Sequence, residues 1–292
     1  MPDPLVENAP AKVNLTLRVL GRRADGYHDI ESLVAFADLS DRLSLSPGAG
    51  LALTVAGPWA QQAGVGADNL VLKAAQALLA RAPDLVLGAF HLDKNLPVAA
   101  GLGGGSADAA AALRLIARAN GLSGDDPRLY AAARATGADV PVCLEPRTRI
   151  MRGIGEQLSA PLALPPLHAL LVNPRVALAT RQVFAAWQPA AQPAAPLDFA
   201  AAPPDHARFV QALAAQANDL EAAAIKLAPQ IADVLASLRA LDACRLARMS
   251  GSGATCFGLF DSAPAAQSAA HEMRAFLGGK FPRWWMSATR LG

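Results

Sequence analysis

Residues 97–108 read Pro97-Val98-Ala99-Ala100-Gly101-Leu102-Gly103-Gly104-Gly105-Ser106-Ala107-Asp108, and the reading of this stretch decides the fold. Four of the five residues from 101 to 105 are glycine, so the backbone can approach a ligand closely and turn its N–H groups inward. Upstream, Leu85 to Leu92 has strand character and delivers Lys94, Asn95 and Pro97 to the turn. Downstream, Ser106 opens a predicted helix with Leu113, Ile116 and Ala117 on one face and Gly121 at its end. Strand, glycine turn and helix N-terminus bring unpaired N–H groups and the positive end of a helix dipole to one spot, which makes an anion site. A turn that only packs a strand on a helix needs fewer glycines. The commonest phosphate loops do not fit. No lysine follows as in G-x-x-x-x-G-K-[ST], and Ser106 stands where G-x-G-x-x-G requires its last glycine. The His-Arg-Asp and Asp-Phe-Gly signatures of protein kinases are absent, and His271-Glu272-Met273-Arg274-Ala275 lacks the second histidine of a zinc-protease helix.

Around this loop the chain offers 292 residues, enough for one large domain or two ordinary ones. Its 53% hydrophobic and 17% charged content excludes a disordered chain. The apolar surplus is largely alanine and contains no run of about 18 apolar residues, so a membrane span is not expected. The N-terminal residues lack the pattern of a signal peptide, and a cytoplasmic protein is expected. Cys143, Cys244 and Cys256 form no Cys-x-x-Cys pair; each is expected to be a buried thiol rather than part of a disulfide or zinc site. A net charge of +2 does not suggest nucleic acid as a partner, and a small molecule is expected instead.

From Lys12 to Val19 apolar and polar residues alternate, which predicts a half-buried strand with Lys12 and Asn14 on one face, about 7 Å apart. Asp25-Gly26 is a turn. Short strands are predicted at Leu33 to Phe36, Leu43 to Leu45 and Leu51 to Val55. Asn69 caps a predicted helix carrying Leu70, Leu72, Ala75, Leu78 and Leu79. A further helix starts at Pro127 and stops at Gly137, and Gly137 to Pro141 reads as a turn that places the carboxylate of Asp139. Beyond the proline-rich change of composition at Pro161 to Pro166 come a strand, a helix near Thr180 to Trp187 and a Pro/Ala-rich loop from Pro189 to Pro204. Helices then lead to a second glycine turn, Met249 to Ala254, followed by strand, helix and strand. Early strands with helices inserted between them predict an α+β fold rather than a doubly wound parallel sheet, with a domain boundary near residue 160 separating residues 1–160 from 161–292.

PVAAGLGGGSAD resembles the phosphate loop of the kinase superfamily named for galactokinase, homoserine kinase, mevalonate kinase and phosphomevalonate kinase. Pro10-Ala11-Lys12-Val13-Asn14-Leu15 and Gly251-Ser252-Gly253-Ala254-Thr255 are similar to its other two motifs. Within the superfamily, PAKVNLTLRV, GRRADGYHDIES, GADVPVCL and the pair NDLE with MSGSGAT resemble the 4-diphosphocytidyl-2-C-methyl-D-erythritol kinases. These strings run in order from residue 9 to about 258. Ala99 departs from the family's glycine, Ala107 from its frequent serine and Cys143 from its aromatic residue.

The resemblance implies a two-domain kinase fold, with an N-terminal ATP-binding domain and a C-terminal α/β-sandwich-like domain. It also implies transfer of the ATP γ-phosphoryl group to a hydroxyl of methylerythritol. Asp139 is then the expected base, with Lys12 as its partner. Phosphoryl transfer relies on positioning and charge stabilisation, so few reactive side chains are needed. ATP would be held by Asn69, Pro97, Ala100, Gly101, Leu102, Gly103, Gly104, Gly105, Ser106, Ala107 and Asp108. Asn14, Tyr27, His28, Lys94, Asp139, Thr180 and Phe184 would meet the cytidyl substrate, the aromatic rings by stacking. Mg²⁺ is expected with the nucleotide, with Ser106 and Asp108 as candidate contacts; such sites lean on phosphates and water. A sibling kinase acting on homoserine, mevalonate or a sugar, or an ATP-dependent decarboxylase of the same fold, is the alternative.

Overall fold

The computed structural model describes residues 3–189, 205–277 and 284–292. In chain order the elements begin with strands β1 (Leu5–Asn14), β2 (Arg18–Arg22), β3 (His28–Gly48) and β4 (Leu51–Ala56) and helices α1 (Ala60–Ala63) and α2 (Leu70–Leu79). Strand β5 (Leu87–Asp93) leads to helices α3 (Gly104–Ala119), α4 (Pro127–Thr136) and α5 (Val140–Leu144). Next come strands β6 (Arg149–Gly153), β7 (Gln157–Leu158) and β8 (Leu167–Asn173), and helices α6 (Thr180–Ala186), α7 (His206–Ala214), α8 (Glu221–Leu227) and α9 (Gln230–Arg239). Strands β9 (Leu246–Met249) and β10 (Cys256–Phe260), helix α10 (Ala263–Leu277) and strand β11 (Trp285–Leu291) complete the order. The Pro/Ala-rich residues 190–204 lie outside the described residues. Strands and helices are mixed as an α+β fold requires, and among the described residues no helix is long and apolar enough to cross a membrane.

The chain divides into two compact units. The first comprises the N-terminal residues through Lys12, Leu39–Val98 and Gly103–Pro146. Its sheet pairs β5 parallel to β4 and antiparallel to Arg42–Gly48 of β3. Helix α2 packs against α3 and α4. Ala107 and Ala109 to Ala112 give α3 a narrow, fully buried waist that lets neighbouring helices approach. Asn69 caps α2 by accepting the Val71 N–H and Pro127 opens α4, both as the sequence predicts, and Asp126 caps α4 by accepting the Arg128 N–H.

The second unit comprises Val13–Asp38, Ala99–Leu102 and Arg147 onward. Strands β11, β8, β10 and β9 lie side by side and antiparallel. Strands β2 and β6 both pair with β3, along its residues 28–34. Helices α8, α9 and α10 bury Ala224, Ile231, Val234, Leu235, Leu238 and Met273 against Leu170, Val172 and Phe260. Each large apolar side chain so buried contributes about 1.5–3 kcal/mol.

Four local expectations change. The predicted strand from Lys12 to Val19 is instead the end of β1, a break at Leu15–Leu17 and the start of β2. Its alternation is real, but it does not mark a solvated face, because residues 11–18 are all buried. Asn14, Thr16 and Arg18 find partners in Ser32, Leu33 and Glu31, which satisfies a buried polar layer. The two short strands at 33–36 and 43–45 are one 21-residue strand, β3. Its polar middle does not break it, since the buried Asp41 is fully bonded. Helix α3 starts at Gly104 rather than Ser106, and the predicted turn at 137–141 runs into the short helix α5.

Candidate active site

In the first unit, strand β5 ends and the chain enters the glycine-rich loop. Gly103 takes a left-handed backbone, φ 61°, immediately before α3, and no side chain caps the helix. The N–H groups of the first turn are therefore not taken up by a cap, as an anion cradle requires. Gly103 is needed for a second reason. A Cβ there would stand 3.0 Å from Cε and 3.3 Å from Cβ of Lys12, so the lysine stem lies directly against the loop.

Lys12, near the end of β1, is 4% exposed, and its ammonium lies 3.0 Å from Oδ2 of Asp139. The Asp139 side chain is 37% exposed. Asp139 occupies the N-cap position of α5, yet its carboxylate makes no capping bond. Its carboxylate is thus held by an ammonium and still reachable from outside. Arg114 of α3 braces both residues: its guanidinium donates to Glu7 Oε2 and to the Asn8 carbonyl on β1, and to the Cys143 carbonyl on α5. Beside them, burial pushes the Cys143 thiol up to about 12, so it stays protonated.

Lys94, predicted to meet substrate, is buried. Its ammonium bonds Asp41 Oδ2 and Asp108 Oδ2, each at 2.5 Å. Burial pushes the Asp108 carboxyl up to about 7, against the opposing pull of Lys94, while burial pulls the Lys94 ammonium down and the charges of Asp108 and Asp41 together outweigh it, leaving Lys94 above its ordinary range. Oδ1 of Asp108 is buried without a partner. Asn69 commits its amide to Val71 N–H and to the Ala63 and Gly64 carbonyls. Pro97, Leu102 and Ala107 are buried, Gly104 is buried at the start of α3, and Gly105 and Ser106 lie nearer the surface.

In the second unit, residues 99–102 dock onto the second glycine turn. Ser250 Oγ donates to the Gly101 carbonyl at 2.8 Å, and the Thr255 N–H donates to the Ala100 carbonyl at 3.0 Å. Gly101, φ 75°, passes so close that a Cβ would stand 2.5 Å from the Ser250 carbonyl oxygen. Glycine here serves chain packing as well as any ligand. Asn14 receives no solvent: its N–H donates to Ser250 Oγ and its amide to Ser32 Oγ. The Thr180 hydroxyl meets that of Ser252 at 2.9 Å.

The predicted aromatic residues separate. His28 and Phe184 come together with ring centroids 5.1 Å apart, and Trp187 closes on His28 edge-on at 5.7 Å. Desolvation, with the Arg22 guanidinium adding to it, lowers the His28 pKa, which favours the neutral ring at pH 7. Tyr27 is 58% exposed, and its ring is not among these contacts. Sequence reasoning missed Trp187, Asp41 and Arg114. Trp187 lies three residues after Phe184, a helical neighbour that could have been found; Asp41 and Arg114 carry no local signal. The expectation of three buried thiols holds for Cys143 and Cys256, whereas Cys244 is partly exposed.

Comparison with known proteins places this geometry in a family. The GHMP kinase N-terminal domain matches residues 69–145, and the GHMP kinase C-terminal domain matches residues 199–279. A 4-diphosphocytidyl-2-C-methyl-D-erythritol kinase of Rhodopseudomonas palustris is 56% identical, covering 98% of this chain and 97% of that protein. One of Methylobacterium radiotolerans is 57% identical, over 98% and 99%. The crystal structure of a 4-(cytidine 5'-diphospho)-2C-methyl-D-erythritol kinase superposes with a TM-score of 0.79 at 38% identity, covering 99% of both chains. A homoserine kinase from Cytophaga hutchinsonii, 20% identical, shares the fold with a TM-score of 0.72 over 100% of this chain and 95% of that one. With near-complete coverage at more than half identity, this chain belongs to the GHMP kinase family.

Proposed function

We propose that the protein transfers the γ-phosphoryl group of ATP to the 2-hydroxyl of 4-diphosphocytidyl-2-C-methyl-D-erythritol, a step in non-mevalonate isoprenoid precursor synthesis. The observation that carries the reading is the Lys12–Asp139 pair at 3.0 Å, with the stem of Lys12 lying against Gly103 of the phosphate loop. Asp139 is the group that accepts the proton of the attacking hydroxyl. Lys12, buried behind it, holds the carboxylate in place and lends positive charge to the transferred group. The free N–H groups of the first turn of α3 bind the ATP phosphates.

The neutral His28 ring, with Phe184 and Trp187, suits a flat cytosine, which stacks on aromatic faces. Mg²⁺ is expected to come with the nucleotide. Among the described residues no cluster of His, Cys, Asp and Glu stands ready to hold a metal by itself. The carboxyl group of Asp108 is buried with one oxygen engaged by Lys94, whereas Ser106 lies nearer the surface, so the Ser106 hydroxyl is the protein group that fits beside phosphate oxygens and water. When bound, the ion neutralises phosphate charge.

The test is ADP release with Mg²⁺-ATP and, in turn, diphosphocytidyl-methylerythritol, homoserine, mevalonate and galactose. Turnover confined to the cytidyl compound supports the proposal. Turnover with another alcohol, and none with the cytidyl compound, refutes it.

A further inference from the structure

We propose that Asp41 and Lys94 form a buried clasp that ties the two ends of the glycine-rich loop together and so positions the phosphate cradle. Asp41 lies in β3, fully buried and far from the loop in sequence. One of its oxygens accepts the N–H groups of Asn95 at 2.6 Å and Leu96 at 2.8 Å, the residues that lead β5 into the loop. The other accepts the Lys94 ammonium. That same ammonium reaches Asp108 on α3, the helix into which the loop leads.

Gly104 sits on top of the cluster: a Cβ there would stand 3.1 Å from Lys94 Nζ and 3.6 Å from Asp41 Oδ2. The residues before the loop and the helix after it are thus fixed by one ion cluster. Two carboxyl groups share one ammonium, all three nearly excluded from water. Apolar side chains would fill such a space at least as stably, so a buried ionic cluster is better explained by the geometry it imposes. Lys94 is only 2% exposed and acts through the loop rather than by touching substrate.

The proposal rests on the glycine-rich loop being the ATP cradle. The test is steady-state kinetics on Asp41→Asn, Lys94→Met and the double variant, with Gly105→Ala as a variant of the cradle itself. Asp41→Asn and Lys94→Met are each expected to raise the KM for ATP about tenfold or more, as the loss of charge-assisted hydrogen bonds implies. The KM for the cytidyl substrate should stay within about twofold of wild type, and the double variant should lose no more than the worse single variant.

A rise in the cytidyl-substrate KM with Lys94→Met alone would overturn the clasp in favour of direct contact. Independent, multiplying losses in the double variant would overturn it too. A purely structural role would lower the yield of folded protein without moving the KM for ATP. If Gly105→Ala raises that KM and the clasp variants do not, the clasp fails while the cradle stands; if none does, the cradle reading fails. Should both clasp variants fail to fold, Asn95→Pro removes one N–H donated to Asp41 at an exposed position. A severalfold rise in the KM for ATP then supports the clasp, and an unchanged value overturns it.

Discussion

Gly105→Ala separates what glycine does for the fold from what it does for the ligand. Three of the four loop glycines have a reason to be glycine within the protein itself. Gly101 and Gly103 have positive φ and close neighbours, and Gly104 faces the Lys94 ammonium. Gly105 has none of these. It is the second residue of α3 and has no positive φ, and an added Cβ would meet only a Leu70 methyl carbon at 3.4 Å. In a helix, alanine is favoured over glycine by about 0.5–1 kcal/mol.

The substitution should therefore stabilise the ligand-free protein, raising its melting temperature by about 1–4 °C. If ATP phosphates approach this backbone, the same methyl group weakens a charge-assisted N–H contact. The KM for ATP should then rise about tenfold, or about 1.4 kcal/mol. Thermal denaturation without nucleotide and an ADP-release assay read the two effects separately. A higher melting temperature with an unchanged KM for ATP would refute the placement of phosphates at this turn. A lower melting temperature would refute the account of the backbone.

Asp139→Asn should lower kcat by about 10²–10⁴-fold while leaving the KM for ATP within about threefold, measured by ADP release; retained turnover would remove Asp139 from the reaction. Phe184→Ala should raise the KM for the cytidyl substrate about tenfold and leave that for ATP unchanged, as loss of a stacked base implies. Ala99 carries a left-handed backbone, φ 50°. Ala99→Gly should relieve about 1–2 kcal/mol of strain against about 0.4–1 kcal/mol of added chain entropy, a net gain visible as a higher melting temperature. The Asp108 carboxyl, raised to about 7 by burial, is protonated in the folded protein at pH values where the unfolded chain has released the proton. Its contribution to stability is thus fully present below about pH 4 and lost as pH rises to about 7, and Asp108→Asn should flatten the fall of melting temperature over that window.

The sequence alone determined the elements that rest on local chemistry. The glycine-rich loop between strand and helix, the cap at Asn69, the helix start at Pro127 and the second glycine turn all depend on backbone freedom and near-neighbour hydrogen bonds. Those are properties of a few adjacent residues. The family motifs pointed to Lys12 and Asp139, but only folding put them 3.0 Å apart, because they are separated by most of the first unit's chain. Tertiary structure also decided what the polar residues of β1 and β3 do. By period alone Lys12, Asn14 and Thr16 lie on the polar face of a half-buried strand, and nothing singles out Asp41 between two short strands. In the folded chain each is buried, and its partner comes from a distant segment: Asp139, Ser32, Leu33 and Lys94. Hydrophobic period records which side chains avoid water. Whether a polar residue meets water or a buried partner depends on contacts that close only when the chain has folded.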